Sequence, residues 1–446
     1  LPSTVIIVDI FTSASDRDII SGGIPKRFRS IAQEKSNNHH HMLKKLLQRI
    51  FPVFALTTAL VPFSAAADTT APVPVNPSGF IIRRGVNLSH WLSQDFGWCA
   101  KSAWITQSDI HYIASLGYDH VRLPLDEKEL WNEDGTKNEA AFKMLKEGID
   151  WCRAEHLRVI VDLHTTRSHH FNAAESGGHN TLFTNPAAQK HFISLWDDLM
   201  AAIGNVPNDE LAYEIMNEPT AENPEDWNRL VAIAMKAIRA KEPNRVIVIG
   251  ANMWQIPQSF PYLKVPEGDR NIILSFHTYE PLFFTHHTAN WVLGPIQDYK
   301  GPVNYPGPII DKATFDKLSA ESNAKIKHPL ETSVLDNWGP DRIRKEIEPA
   351  IVRAKELNLQ LFCGEFGCLP TVPREARLAY YRDIVGVFES AGIAWCNWEY
   401  KGDFGIYEWH GEKYLTGAPD LAMIGALLGT KCPAKVCPAP ACPMKK

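Results

Sequence analysis

The chain has 446 residues, with 46 Lys and Arg against 51 Asp and Glu, a formal net charge of −5 at pH 7. That balance leaves no basic footprint for nucleic acid or for an anionic membrane surface. Hydrophobic residues at 45% and charged residues at 22% are the ordinary composition of a soluble globular chain, long enough for two domains or one large α/β barrel.

Residues 1–41, ending in His39-His40-His41, read as an upstream segment outside the fold. Met42-Leu-Lys-Lys-Leu-Leu-Gln-Arg then supplies a positive region, 50–63 an apolar one, and Ala65-Ala66-Ala67 a cleavage site. The pattern at 42–67 is that of a secretory signal peptide, and its apolar run is short for a bilayer span. The expected mature protein is therefore secreted, extracellular or periplasmic, with no membrane segment. The Pro-rich stretch 68–79 has no core-forming pattern and reads as a linker, so the domain is expected over 80–429.

From there strand and helix signals alternate. Strand-like runs fall at 84–88, 120–123, 158–163, 211–216, 245–250, 271–277, 360–365 and 393–398. Between them, apolar residues recur at helical spacing: Ile110, Ile113 and Leu116 before Gly117; Phe142, Leu145, Ile149 and Cys152; Leu195, Leu199 and Ile203. The same holds for Trp227, Leu230, Ala234 and Ile238; for Ile343, Ile347 and Ile351; and for Leu378, Tyr381, Val385 and Phe388, with 420–428 closing the series. Eight strands with intervening helices predict a (β/α)8 TIM barrel. A doubly wound open sheet is the alternative, but no G-x-G-x-x-G turn supports it. About sixty residues between Tyr279 and the helix near Asp341 form a long connection after the sixth strand, the length of a functional loop or small subdomain. Residues 430–446 are a Pro/Cys-rich tail. The cysteines, Cys99, Cys152, Cys363, Cys368, Cys396, Cys432, Cys437 and Cys442, are scattered, and Cys363 and Cys396 sit in buried strand-like runs as small apolar thiols. No C-x-x-C pair suggests a zinc site.

A barrel of this kind carries its active site at the C-terminal strand ends. There the sequence puts Asn87-Leu-Ser-His-Trp91, Arg122, Asp162-Leu-His164, Asn217-Glu218, Asn252 and Trp254, His277-Thr-Tyr279, Glu365, and Trp398-Glu399. A carboxyl at the mouth of a buried strand, as Glu218 is in Glu210-Leu-Ala-Tyr-Glu-Ile-Met-Asn-Glu-Pro219, is shielded from water and suited to proton donation. One polar or aromatic group per strand end is hard to explain as packing. Thirteen Trp, twelve Tyr and twenty Phe also suit a sugar, whose C–H faces stack on aromatic rings, although cores use aromatics too.

This set resembles glycoside hydrolase family 5, the retaining cellulase-like barrel hydrolases of clan A. Arg122, His164, Asn217, Glu218, His277, Tyr279, Glu365 and Trp398 each match the family's functional pattern. The resemblance implies Glu218 as general acid/base and Glu365 as nucleophile, with the other six binding substrate or orienting the two carboxyls. Trp91, Trp254 and Trp291 are further candidates for cleft platforms. The implied partner is a β-glucan polysaccharide or oligosaccharide met by a monomer, with no cofactor and no metal. Within that family the opening Gly85–Trp91 stretch and the His277-Thr-Tyr279 element favour an endo-acting enzyme on β-1,4-glucan or mixed-linkage β-1,3-1,4-glucan. Mannan, xyloglucan and β-1,3-glucan remain alternatives, as does a non-catalytic sugar-binding barrel.

Overall fold

The apolar runs become eight parallel strands: β1 Arg84–Asn87, β2 His120–Asp126, β3 Arg158–Thr165, β4 Leu211–Glu214, β5 Val246–Gly250, β6 Ile272–His277, β7 Gln360–Glu365 and β8 Ala394–Asn397. Each pairs with the next and β8 pairs with β1, so the sheet closes without an edge. A computed structural model describes residues 74–97, 100–173, 180–292, 294–322, 330–409 and 415–429. The expected upstream segment, signal peptide and C-terminal tail lie outside the described residues.

All eight expected strands are present, and only their ends move. β4 stops at Glu214 rather than Met216, although Ile215 N–H still donates to Val248 O at 3.2 Å. β2 and β3 instead run on to Asp126 and Thr165, with a register shift between Leu125 and Asp126. The helices also fall where their apolar spacing puts them: Gln107–Ser115, Glu139–Ala154, Pro186–Ile203, Pro224–Lys241, Pro340–Leu357, Arg374–Ser390 and Leu421–Leu428. Local chemistry starts them. Asn185 and Asn223 each precede a proline and accept from the first free N–H groups beyond it, and Thr106 and Asp109 form a reciprocal capping box.

Inside the barrel, Ile160, Ala212, Val246, Val248, Ile273, Phe362, Ala394 and Cys396 fill the lower layers, with Phe80 and Ile82 packed among them. Side chains alternate along a strand, so the next inward positions above Ile160 and Ala212 are Asp162 and Glu214. The apolar base thus gives way to a charged layer two residues higher, just below the mouth.

The long connection after β6 is structured. It holds short helices at Leu282–Thr285 and Pro295–Asp298, a longer one at Lys312–Ser322 and a 3₁₀ turn at Thr332–Leu335. Phe284 and Tyr305 pack on Tyr380, and Tyr305 Oη donates to Asp383 at 2.8 Å, which ties the insertion to the helix after β7. After β8, β9 Tyr407–Trp409 and β10 Leu415–Pro419 make a separate antiparallel pair with no counterpart in the sequence pattern.

Trp91 requires a correction. It is fully buried, against Gly148, where an added Cβ would come within 2.6 Å of its ring, and it stacks on Trp151 at 6.3 Å. It is core and not a cleft platform: Trp91 lies behind the strand-one loop, and its neighbour His90 faces the mouth. Cys152, Cys363, Cys368 and Cys396 are buried free thiols, as strand and helix packing predicts for Cys363 and Cys396. The other four cysteines lie outside the described residues.

Candidate active site

The site is assembled around one guanidinium. Arg122, on β2, is fully buried and spends every face of its planar fork. Nε donates to Glu214 at 2.6 Å, Nη1 to Glu365 at 2.7 Å and Asn87 at 3.1 Å, and Nη2 to Asn217 at 2.8 Å. Asp162 lies 3.0 Å from the same Nη2. Five strands are linked through one side chain.

Glu365, at the end of β7, has both carboxylate oxygens occupied. Oε1 takes Arg122 and Oε2 accepts from Tyr279 Oη at 2.9 Å. Burial raises the Glu365 carboxyl above its ordinary value, against the opposing pull of Arg122 and Tyr279. Tyr279 itself is held well above its ordinary range by burial and by the Glu365 charge, so it stays a phenol and a donor.

Glu218 lies across the mouth after β4, in a different setting. Its Oε1 is 2.9 Å from His277 Nδ1, and it pairs with no Lys or Arg among the described residues. Burial, reinforced by the Glu365 charge, raises its pKa well above the carboxylate range. His277 is pushed well below its usual value by burial and by Arg122, so it is a neutral imidazole. Both carboxyls are raised, Glu218 the further, so Glu218 is the one of the two that keeps a proton and Glu365 the first to ionise. One ligand atom each from Glu218, His277 and Glu365 lie within 4.8 Å of one another. That group is the best-placed cation cage among the described residues, but an Arg122 nitrogen already sits 2.7 Å from Glu365. A further cation there would be repelled, and the arrangement is better suited to sharing a proton.

His164 is oriented from below. Asp162 Oδ2 lies 2.7 Å from its Nδ1, and burial brings the imidazole pKa down to about 4 while carrying Asp162 up to about 7. The His164 ring lies parallel to Trp398, 8° between planes and 5.6 Å between centroids. Trp398 follows β8 and packs with Ala289, Leu369 and Phe404, which form the apolar side of the mouth. Trp254 is half-buried beside the Glu218 turn, its Nε1 donating to Phe171 O at 3.0 Å. Trp291 is 42% exposed near His286 and Phe404, at the start of the long insertion.

The eight matched residues thus converge, joined by Asn87, Asp162 and Glu399 from the other expected strand ends and by Glu214 and Gln255, which the strand-end reading did not include. Asp162 and Glu214 complete the charge around Arg122, and Asn87 reaches the same guanidinium. Gln255 accepts from the Glu218 backbone N–H at 2.8 Å and donates to Glu214 at 3.2 Å. Beside Trp398, Glu399 is fully buried, takes Ser89 Oγ as a donor and lies 2.9 Å from His90 Nε2. The backbone is strained here: Glu218, Met253, Trp254 and Gln255 all have positive φ. Left-handed non-glycine residues cost roughly 1–2 kcal/mol each.

Comparison with known proteins places this geometry in a family. The family description Cellulase (glycosyl hydrolase family 5) matches residues 75–403. Endoglucanase C of Acetivibrio thermocellus is 31% identical over 330 residues, 73% of this chain and 93% of its own. Cellodextrinase A of Ruminococcus flavefaciens is 30% identical over 317 residues, 70% of this chain and 84% of its own. Among solved structures, Cel5A of Thermotoga maritima in complex with mannotriose shares the fold, with a TM-score of 0.60 at 22% identity over 78% of this chain and 98% of that one. The chain belongs to glycosyl hydrolase family 5, the cellulase family, and is a glycoside hydrolase.

Proposed function

We propose that the protein is a secreted endo-β-glucanase that hydrolyses β-1,4-glucan or mixed-linkage β-1,3-1,4-glucan with retention of configuration. The observation that carries this reading is the unequal pair of carboxyls, Glu365 held by Arg122 and Tyr279, Glu218 by a neutral histidine alone. Their nearest oxygens are no more than 4.8 Å apart. That suits a retaining pair, about 5–5.5 Å apart, better than an inverting one at about 6.5–9.5 Å.

In the first step Glu365 attacks the anomeric carbon while Glu218 gives its proton to the departing glycosidic oxygen. The glycosyl–Glu365 ester and a free sugar end result. In the second step Glu218, now a carboxylate, takes a proton from water, the hydroxyl attacks the anomeric carbon, and Glu365 leaves as carboxylate. Asn217 has its oxygen fixed by Arg122, which leaves its NH₂ to donate to the sugar 2-OH. His164 and Trp398 form a polar wall and a stacking floor for the ring being cleaved. Trp254 borders the cleft next to Glu218.

The names of the relatives, an endoglucanase and a cellodextrinase, support a β-glucan over mannan. The leader-like segment 42–67 supports export. The test is release of reducing ends from carboxymethyl-cellulose, mixed-linkage β-glucan, β-1,3-glucan and mannan in excess chelator, by wild type and Glu365→Gln. Rapid cutting of the first two by wild type alone is the expected result. Cutting of mannan or β-1,3-glucan in preference would overturn the substrate assignment, and tight binding without cutting would overturn the enzyme mechanism.

A further inference from the structure

Glu218 sits at φ +44°, a backbone conformation a non-glycine residue keeps only when its surroundings hold it there. Here both of its peptide groups are taken by side chains. Its N–H donates to Gln255 Oε1 at 2.8 Å, and its C=O lies 3.2 Å from His169 Nε2. We propose that His169 and Gln255 are positioning residues, a clamp on the Glu218 peptide that aims its carboxyl at the leaving-group oxygen. This inference rests on the acid/base reading of Glu218 above.

Each arm of the clamp is built for the purpose. Gln255 ends a left-handed turn, Met253–Gln255, with φ of 57°, 56° and 58°. Its side chain is fully buried and lies across Gly250, where any Cβ would come within 2.2 Å of its Nε2. The amide is oriented by its second bond, Nε2 donating to Glu214 Oε1 at 3.2 Å, which leaves Oε1 to accept from Glu218. The Gln255 backbone C=O accepts from His277 N–H at 3.1 Å, so the turn is fixed to the end of β6 as well. The three consecutive strained residues bring this amide under Glu218.

His169 comes from the other side. A tight turn after β3, closed by Thr166 N–H to His169 O at 2.9 Å and His169 N–H to Thr166 O at 3.1 Å, presents the ring inward. The residue is 1% exposed and its ring meets Phe183 edge-on at 5.2 Å. Burial keeps it a neutral imidazole, with a pKa of about 4, so its Nε2–H donates to the Glu218 carbonyl. His277, in contrast, touches the Glu218 carboxyl. The clamp acts on where the acid points, and His277 on the acid itself.

The test separates aim from stability by leaving group. An oligosaccharide needs a proton at the departing oxygen, whereas a 2,4-dinitrophenyl glycoside departs without one. His169→Phe keeps the ring's shape and removes the donor, and Gln255→Met removes the amide. Each should lower kcat/KM on cello-oligosaccharide about 10²-fold, as misplacement by an ångström does. The dinitrophenyl cellobioside should fall by no more than about threefold. His169→Gln, which can place an N–H near the same point, should recover most of the loss. Equal falls on both substrates, or no fall on either, would overturn the clamp, and so would failure of His169→Gln to rescue a variant whose melting temperature is unchanged. Glu218→Ala on the same two substrates guards the premise. If it lacks the leaving-group selectivity, the acid assignment fails; if it shows the selectivity and His169→Phe does not, only the clamp fails.

Discussion

Replacing Arg122 by Met keeps most of the stem's volume and removes the guanidinium from three carboxylates and two amides. The hydrogen bonds it abolishes run from 2.6 Å at Glu214 to 3.1 Å at Asn87, all from a fully buried donor. Removing one partner of a buried ion pair costs about 3–5 kcal/mol, because the other is left uncompensated. Asp162 and Glu214 relieve part of this by taking up protons, since burial already raises both. For a barrel of about 350 residues the unfolding entropy near the midpoint is about 0.7 kcal/mol/K, so a destabilisation of about 4 kcal/mol lowers Tm by roughly 5–6 °C. Catalysis suffers separately. Arg122 is the main influence holding Glu365 down, so without it the Glu365 pKa rises and the acidic limb of the kcat/KM profile moves to higher pH. Calorimetry and a pH–rate profile read the two effects independently. A Tm within about 1 °C of wild type together with an unmoved acidic limb would refute the reasoning.

Other outcomes follow from the same geometry. Tyr279→Phe removes one hydrogen bond of 2.9 Å to a charged oxygen, worth about 1.5–3 kcal/mol, so Tm should fall by about 2–4 °C in calorimetry, and the acidic limb of the kcat/KM profile should move to higher pH as Glu365 loses a donor. Glu218→Gln should lower kcat on polymer by about 10²–10⁴ and remove the basic limb of the pH profile; a profile that keeps this limb would count against Glu218 as the proton donor. Trp91→Ala should cost about 3–5 kcal/mol in a denaturant melt and leave KM for oligosaccharide unchanged, whereas a raised KM with intact stability would restore Trp91 to the cleft. Glu280 is raised by burial to about 7 in the fold, so wild type loses stability as pH climbs from the unfolded carboxyl pKa toward that value. Glu280→Gln should therefore match wild type below about pH 4 and be increasingly the more stable toward pH 7, which thermal melts across that range will show.

What the sequence could and could not reveal divides along physical lines. Buried parallel strands are apolar on both faces, so all eight are readable, and helix caps such as Asn185 and Asn223 are equally local. The site residues are visible because all but Arg122, which lies inside β2, fall at or just past the end of a strand in a known order. Asp162 and Glu214 do carry a signal of their own: both occupy the inward parity of otherwise apolar strands, two residues above Ile160 and Ala212. Gln255 and His169 have no such signal. Their place depends on a left-handed turn and a tight turn, neither marked by glycine, and on Gly250 making room from five residues away. Trp91 misleads because its motif lies at the mouth while its side chain turns back toward Trp151. The β9–β10 pair is short and separate from the barrel, with no periodicity long enough to register.

In the proposed mechanism Glu365 becomes covalently glycosylated while Glu218 manages the proton. Trapping with a 2-deoxy-2-fluoro cellobioside bearing a good leaving group, followed by peptide mapping, tests it directly. The expected result is a single sugar ester on the peptide containing Cys363-Gly-Glu365-Phe-Gly367. A label on another carboxylate, or no label together with inverted product from the natural polymer, would contradict it.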